Sequence, residues 1–250
     1  MAQNIYDDPA FFDGYSQFLR SREGLAGAAE WPSLRAMLPP LKGARVLDLG
    51  CGFGPFCRYA VEQGAADVLG VDLSEKMLAD ARRRGPGLPI RYERADLEKY
   101  APSAASYDLV FSSLAVHYIA DFDAFVSRVR AALKPDGHFV FSMEHPVFAA
   151  RSSPDFIRDK DGHLLGVVDD YLREGERVTK WIAEGVVKYH RLISTTINSL
   201  QRAGLVLDQI EEWCATDADI AAHPEWAEER YQPMFLLMAT SADPRLPARH

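Results

Sequence analysis

The sequence predicts an α/β protein built on a doubly wound, mostly parallel sheet. Three observations carry this. Short apolar runs alternate with helical segments across residues 44–143. The first run, Val46-Leu47-Asp48-Leu49, enters a turn with glycine at 50, 52 and 54. The second, Val68-Leu69-Gly70-Val71, closes on an acid, Asp72, twenty-two residues after Gly50. Strand, glycine turn, helix, strand and acid is the order in which such sheets hold an adenosine-containing cofactor.

The elements follow in chain order. Residues 4–40 mix polar and aromatic side chains, with Pro32, Pro39 and Pro40 as breakers, and predict short helices at 9–20 and 30–38. Residues 44–49 read as a strand. Residues 55–64 read as a helix that starts on Pro55, where a missing N–H is harmless, and stops at Gly64. Residues 67–71 form the next strand, and Ser74 caps a helix over 75–84 closed by Gly85. Strands follow at 90–95 and 107–112, then a helix over 122–133 capped by Asp121. A turn at Pro135-Asp136-Gly137 leads into a strand over 138–143. The alternation then breaks. Residues 144–190 are a long excursion, with a hairpin expected from 177–183 and 186–192 around Glu184-Gly185. A helix over 194–203, stopped by Gly204, and strands at 205–210 and 235–240 complete the pattern.

Composition narrows the function classes. The 250 residues are 48% hydrophobic, enough for a large core in one domain. The net charge of −8 argues against nucleic-acid partners, which select a basic face. The one dense basic run, Arg82-Arg83-Arg84, ends a predicted helix and complements its dipole. Cys51, Cys57 and Cys214 have neither a disulfide framework nor zinc spacing, so no metal site is expected. No 18-residue apolar run occurs, and the acidic start lacks a signal-peptide core. No membrane partner and a reducing, cytoplasmic setting are the expectations.

The glycine turn also discriminates between cofactors. A dinucleotide fingerprint would place its third glycine at position 55, which is Pro55. Asp48, just ahead of the turn, would crowd a pyrophosphate. A carboxylate there suits a ligand with an ammonium and no phosphate, and S-adenosyl-L-methionine is such a ligand. Asp72 can accept from both ribose hydroxyls.

The chain resembles the class I S-adenosylmethionine-dependent methyltransferases in four further segments. Val71–Leu78 looks like the ribose-binding segment, and Arg94–Leu97 like the adenine-binding turn. Residues 107–114 look like the fourth strand, and 133–140 like the entry to the fifth. Residues 5–16 resemble the start of small-molecule methyltransferases. The resemblance implies one Rossmann-like domain over 1–250 with a seven-stranded sheet. Its parts are an N-terminal helical cap (1–42), a cofactor-binding core (43–143), a substrate lid inserted after strand five (144–190), and a C-terminal helix with antiparallel strands (191–241).

Within that frame Gly50 and Gly52 let the backbone approach the methionine moiety. Asp48 orients the turn or meets the ammonium. Asp72 binds the ribose, Leu73 and Met77 line the adenine slot, and Asp96 with Leu97 takes the adenine amine. Ser112 offers a backbone carbonyl. Tyr15 closes over the cofactor or packs the N-terminal helix. The cofactor carries the electrophile, so the protein aligns the acceptor, excludes water and supplies a base where one is needed. His117 and His145 are the catalytic candidates, since an imidazole titrates near neutrality. Tyr118, Glu144 and His190 stand behind them. Phe11, Phe12, Trp31, Phe148, Phe156 and Trp181 suit a planar acceptor or form the lid's own core. The expected activity is direct S_N2 methyl transfer to O, N or C of a small metabolite, leaving S-adenosyl-L-homocysteine. A homodimer is left open. Two rivals remain: a cofactor-binding partner protein without catalysis, and a nicotinamide-dependent oxidoreductase.

Overall fold

The computed structural model describes residues 3–151, 156–243 and 245. The N-terminal segment forms α1 (Pro9–Ser16), α2 (Leu19–Glu23) and α3 (Trp31–Ala36). The core alternates β1 (Arg45–Leu49), α4 (Pro55–Glu62), β2 (Asp67–Asp72), α5 (Glu75–Arg84), β3 (Ile90–Arg94), β4 (Tyr107–Ser113), α6 (Phe122–Ala132) and β5 (Leu133–Glu144). A short α7 (Pro146–Ala149) opens the excursion, which carries hairpin β6 (Ile157–Arg158) and β7 (Leu164–Leu165), then hairpin β8 (Gly175–Trp181) and β9 (Ala183–His190). The chain ends with α8 (Ile193–Arg202), β10 (Leu205–Trp213), α9 (Asp217–Ala222) and β11 (Phe235–Ala242).

Seven strands make one sheet in the order β3-β2-β1-β4-β5-β11-β10. The five core strands are parallel, and β11 and β10 close the sheet antiparallel. The order reverses between β1 and β4, which puts a crevice at the carboxyl ends of those strands. Strand alternation sorts the core onto two faces. Val46, Val68, Leu109 and Phe111 pack with α3 and α4, where Phe56 stacks on Phe111. Leu47, Leu69, Val110, Phe139 and Phe141 pack with α6 and α8. Burial on both faces is why these strands read as continuous apolar runs.

Three local expectations are corrected. The helix expected at 9–20 breaks at Phe18, whose backbone is extended and whose ring stacks on Trp181 at 6.0 Å. Strand β5 begins at Leu133, ahead of the expected turn. Its ladder jumps from Tyr107↔Leu133 to Leu109↔His138, so Pro135-Asp136-Gly137 bulges out of a strand already under way. The β8–β9 hairpin turns at Ile182 (φ 61°), since Trp181 pairs with Ala183. Glu184-Gly185 is a bulge opposite Lys180, with Gly185 at φ 79°.

Candidate functional site

A cavity of about 480 Å³ opens at the switch point. Its floor is the strand ends: Gly50 and Gly52 after β1, Asp72 and Leu73 after β2, Met77 on α5, Asp96 and Leu97 after β3, and Ser113, Leu114 and Ala115 after β4. Its roof is Gln3, Ile5, Tyr6 and Tyr15 from the N-terminal segment, with Glu176, Val187 and Tyr189 from the β8–β9 hairpin. Tyr15, Gly50, Gly52, Asp72, Leu73, Met77, Asp96 and Leu97, all expected at the cofactor, therefore come together.

The floor is fixed by backbone geometry. Gly50 has φ 78°, and a Cβ there would meet Ala115 Cβ at 2.4 Å. At Gly52 (φ 51°) a Cβ would meet nothing within 4 Å, so its backbone is bare toward open space. Asp72 accepts from the N–H of Gly52 (2.8 Å) and of Ser74 (2.9 Å). Burial raises its pKa while those two bonds oppose the shift. Leu114 ends β4 in the left-handed region (φ 51°), held by its N–H to the Ser142 carbonyl at 3.0 Å. Such a position in a non-glycine residue costs of order 1–3 kcal/mol and persists only where its surroundings enforce it.

The roof is tied to the floor. Asp7 accepts from Ser74 Oγ (2.6 Å) and from the Lys76 N–H (3.1 Å) at the start of α5. Gln3 Nε2 donates to the Gly185 carbonyl at 2.7 Å, and its Oε1 accepts from the Val187 N–H at 2.9 Å. Tyr6 and Tyr118 share a hydroxyl–hydroxyl hydrogen bond of 3.2 Å. Burial raises both their pKa values. Strand β9 presents Val187 and Tyr189 to the cavity, while Val186, Lys188 and His190 are buried behind it. Lys188 forms an ion pair with Glu144, with its ammonium 4.7 Å from the Trp181 ring centroid. Trp181 in turn packs edge-on against Phe11 and Tyr15.

Four expected site residues lie outside the cavity wall. Asp48 shares a face of β1 with Val46 and points under α4, where Cys57 Sγ donates to its Oδ2 at 3.3 Å. Burial pushes its pKa up to about 7. The Ser112 side chain is buried and donates to the Leu49 carbonyl at 2.7 Å; its neighbour Ser113 lines the cavity. The His117 ring is buried, its Nδ1 accepts from the Glu144 N–H at 3.3 Å, and burial lowers its pKa to about 4. His145 caps α7. Its Nδ1 accepts from the Val147 N–H at 3.1 Å and its Nε2 donates to Glu212 at 2.8 Å, so both nitrogens of the neutral ring are occupied. Burial lowers its pKa as well. Among the second-rank candidates, Tyr118 lines the wall and Glu144 and His190 do not. A carbon NMR titration checks the histidine. The His117 ring should show no transition from about pH 5.5 to 8, and a midpoint near 6.5 would return it to the role of base.

Residues that sequence reasoning left out also meet here. Tyr6 joins Tyr118 across 112 positions, and Glu98, Lys99, Glu176, Gln3 and Ser113 also line the wall. Ser113 was readable from strand period, as the neighbour of the inward Ser112. The rest depend on tertiary contacts. None of the six aromatics considered for a planar acceptor lines the cavity. Phe11 and Trp181 pack within the roof, and Trp31 packs on Tyr59. Asp159, Asp161 and His163 bring ligand-type atoms within 4.8 Å of one another on the β6–β7 turn, outside the wall. No described helix is long and apolar enough to cross a membrane.

The donor set is suited to a phosphate-free adenosine cofactor. The Gly52 N–H, which a pyrophosphate would need, is taken by Asp72. Among the described residues, the strand-end part of the wall carries the carboxylates Asp72 and Asp96 and no basic group. Fold and cavity together define a switch-point α/β protein that binds a cationic adenosine cofactor. The comparisons agree. A family profile described as a methyltransferase domain matches residues 47–141. The crystal structure of an S-adenosylmethionine-dependent methyltransferase from Mesorhizobium loti is 55% identical with a TM-score of 0.84, covering 87% of this chain and 100% of that one. An uncharacterised protein of Haemophilus influenzae is 33% identical over 235 residues, 90% of each chain. A ubiquinone biosynthesis O-methyltransferase of Sinorhizobium medicae is 31% identical over 157 residues, 62% of this chain and 56% of that protein. The chain thus spans about half the length of that relative. The chain belongs to the S-adenosylmethionine-dependent methyltransferase family.

Proposed function

We propose that this methyltransferase methylates a small molecule held between the strand ends and a cap drawn from the N-terminal segment and the β8–β9 hairpin. The observation that carries this reading is a cavity of about 480 Å³ whose wall is shared by cofactor-type residues and cap residues. That volume lies within the ordinary range for small-molecule sites. The net charge of −8 speaks against a polyanionic substrate such as RNA. The ubiquinone-pathway relative acts in small-molecule biosynthesis by its name, in keeping with this reading. Two buried free thiols, Cys51 and Cys57, support a reducing cytoplasmic setting.

The residue roles follow from the wall. Asp72 takes the ribose hydroxyls with the lone pairs its two backbone donors leave. Asp96, whose Oδ1 already accepts from the Glu98 N–H at 3.0 Å, offers its other oxygen to the adenine amine. Leu73, Met77 and Leu97 form the apolar slot. Gly50, Gly52 and Tyr15 surround the methionine moiety. When bound, the cofactor supplies an electrophilic methyl group. The chain's own residues orient the acceptor and exclude water. Tyr6 and Tyr118, joined by their hydroxyls on the wall, contribute to that orientation in place of the histidines.

Isothermal titration with S-adenosyl-L-methionine, S-adenosyl-L-homocysteine and NADH tests the cofactor site, with binding expected for the first two alone. Asp72→Ala should weaken S-adenosyl-L-homocysteine binding by about 1.5–3 kcal/mol, the scale of hydrogen bonds to a charged group. Unchanged affinity would remove the ribose assignment.

A further inference from the structure

The part of the wall left over by the cofactor residues is acidic and aromatic. Glu98 and Glu176 line it together with Tyr6, Tyr118 and Tyr189. Tyr189 stands directly across the hairpin from Glu176. Among the described residues the basic side chain on the wall is Lys99, which is exposed, as is Glu176, while Glu98 is half-buried.

Four other cations near the cavity are committed to internal acceptors. Arg191 is buried and donates to the carbonyls of Ile119 and Ala120, the latter at 3.1 Å. Lys188 is paired with Glu144 behind β9. Arg94 donates to the Leu73 carbonyl at 3.0 Å, and Arg128 to the Leu97 carbonyl at 3.0 Å. These four cations are thus spent on holding the cavity's shape, and the partly buried charge on this part of the wall is Glu98.

We infer that the methyl acceptor carries a protonated amine and neither a carboxylate nor a phosphate. This rests on the small-molecule reading above. An anionic acceptor entering here would lose its hydration, meet two carboxylates and find no buried cation to replace the lost water. A protonated amine would meet the Glu98 and Glu176 carboxylates beside three tyrosines, whose rings and hydroxyl oxygens can attract cations. The amine is the recognition group; the nucleophile can be the same nitrogen once deprotonated or another atom of the acceptor.

The test uses two probes of matched shape and opposite charge, 2-phenylethylamine and 3-phenylpropionate, titrated at pH 7 into protein saturated with S-adenosyl-L-homocysteine. The amine should bind at least about ten-fold more tightly than the acid. Glu98→Gln with Glu176→Gln should bring the two within about two-fold while S-adenosyl-L-homocysteine affinity stays unchanged. Equal affinities, a preference for the acid, or no binding of the amine overturns the inference. The first titration separates the two levels of the reading. Absence of S-adenosyl-L-homocysteine binding brings down the cofactor site and this inference with it. Its presence without an amine preference overturns the acceptor class alone.

Discussion

Replacing Lys188 with methionine should destabilise the protein by about 3–5 kcal/mol and loosen the β8–β9 hairpin from the sheet. The Lys188 side chain is 7% exposed and that of its partner Glu144 13%, so neither charge can recover water without moving. Removing the ammonium leaves the Glu144 carboxylate buried without its partner, and that penalty exceeds the modest net value of the intact pair. It also removes the cation from the face of Trp181, the residue through which the hairpin meets Phe11, Tyr15 and Phe18. The loss should therefore concentrate in the roof. Urea denaturation would read the global term. Amide hydrogen exchange over residues 175–190 would read the local one, with protection falling first there. Glu144→Leu alone should cost as much, and the two replacements together should restore most of the stability, since a matched apolar pair leaves no buried charge. A loss below about 1 kcal/mol in either single variant would mean that the pair behaves like a solvated surface bridge and does not hold the hairpin down.

The hairpin also marks where the sequence stopped being legible. Residues 44–143 could be read because doubly buried strands give unbroken apolar runs and because the glycine turn allows few backbone paths. Asp72, Asp96, Leu97, Gly50 and Gly52 all follow from position at a strand end, and all of them line the cavity. In the hairpin the local signal misleads. Glu184-Gly185 has turn chemistry, yet the chain turns two residues earlier on Ile182, a β-branched residue at positive φ that no propensity would select. The histidines lie off the cavity wall for another reason. His117 and His145 were selected by what an imidazole does at neutral pH, but ring direction within a single turn is set by the backbone N–H groups of Glu144 and Val147, which claim both Nδ1 atoms. The direction of Asp48 away from the cavity wall was legible. Alternation along β1 places it on the same side as Val46, facing α4, and that much was in the sequence.

That buried acid gives the second large effect. Asp48→Asn should leave stability nearly unchanged near pH 4 and raise it relative to the parent by about 4 kcal/mol at pH 8, the free energy of a three-unit pKa displacement. Burial raises the Asp48 pKa from 3.8 to about 7, with the Cys57 thiol as its hydrogen-bond partner. The sign follows from proton counting. Between these two values the unfolded chain has released the proton and the native protein still holds it, so stability falls as pH rises and the full penalty is present above 7. Asparagine keeps the shape and an acceptor for the thiol but has no charge to bury. His117 has the opposite sign. Its pKa is lowered from 6.5 to about 4, so the native state refuses a proton that the unfolded chain accepts, and stability is lost as pH falls through that window. In the parent protein the two slopes oppose each other from about pH 4 to 6.5. Asparagine at 48 removes one and should uncover the other, so the variant's stability should climb with pH where the parent's is nearly level. Guanidinium denaturation of both proteins at pH 4.5, 6 and 8 measures the difference directly. A difference that does not change with pH would mean that Asp48 ionises as an ordinary carboxylate, and that the floor beneath the glycine turn is wetter than its burial indicates.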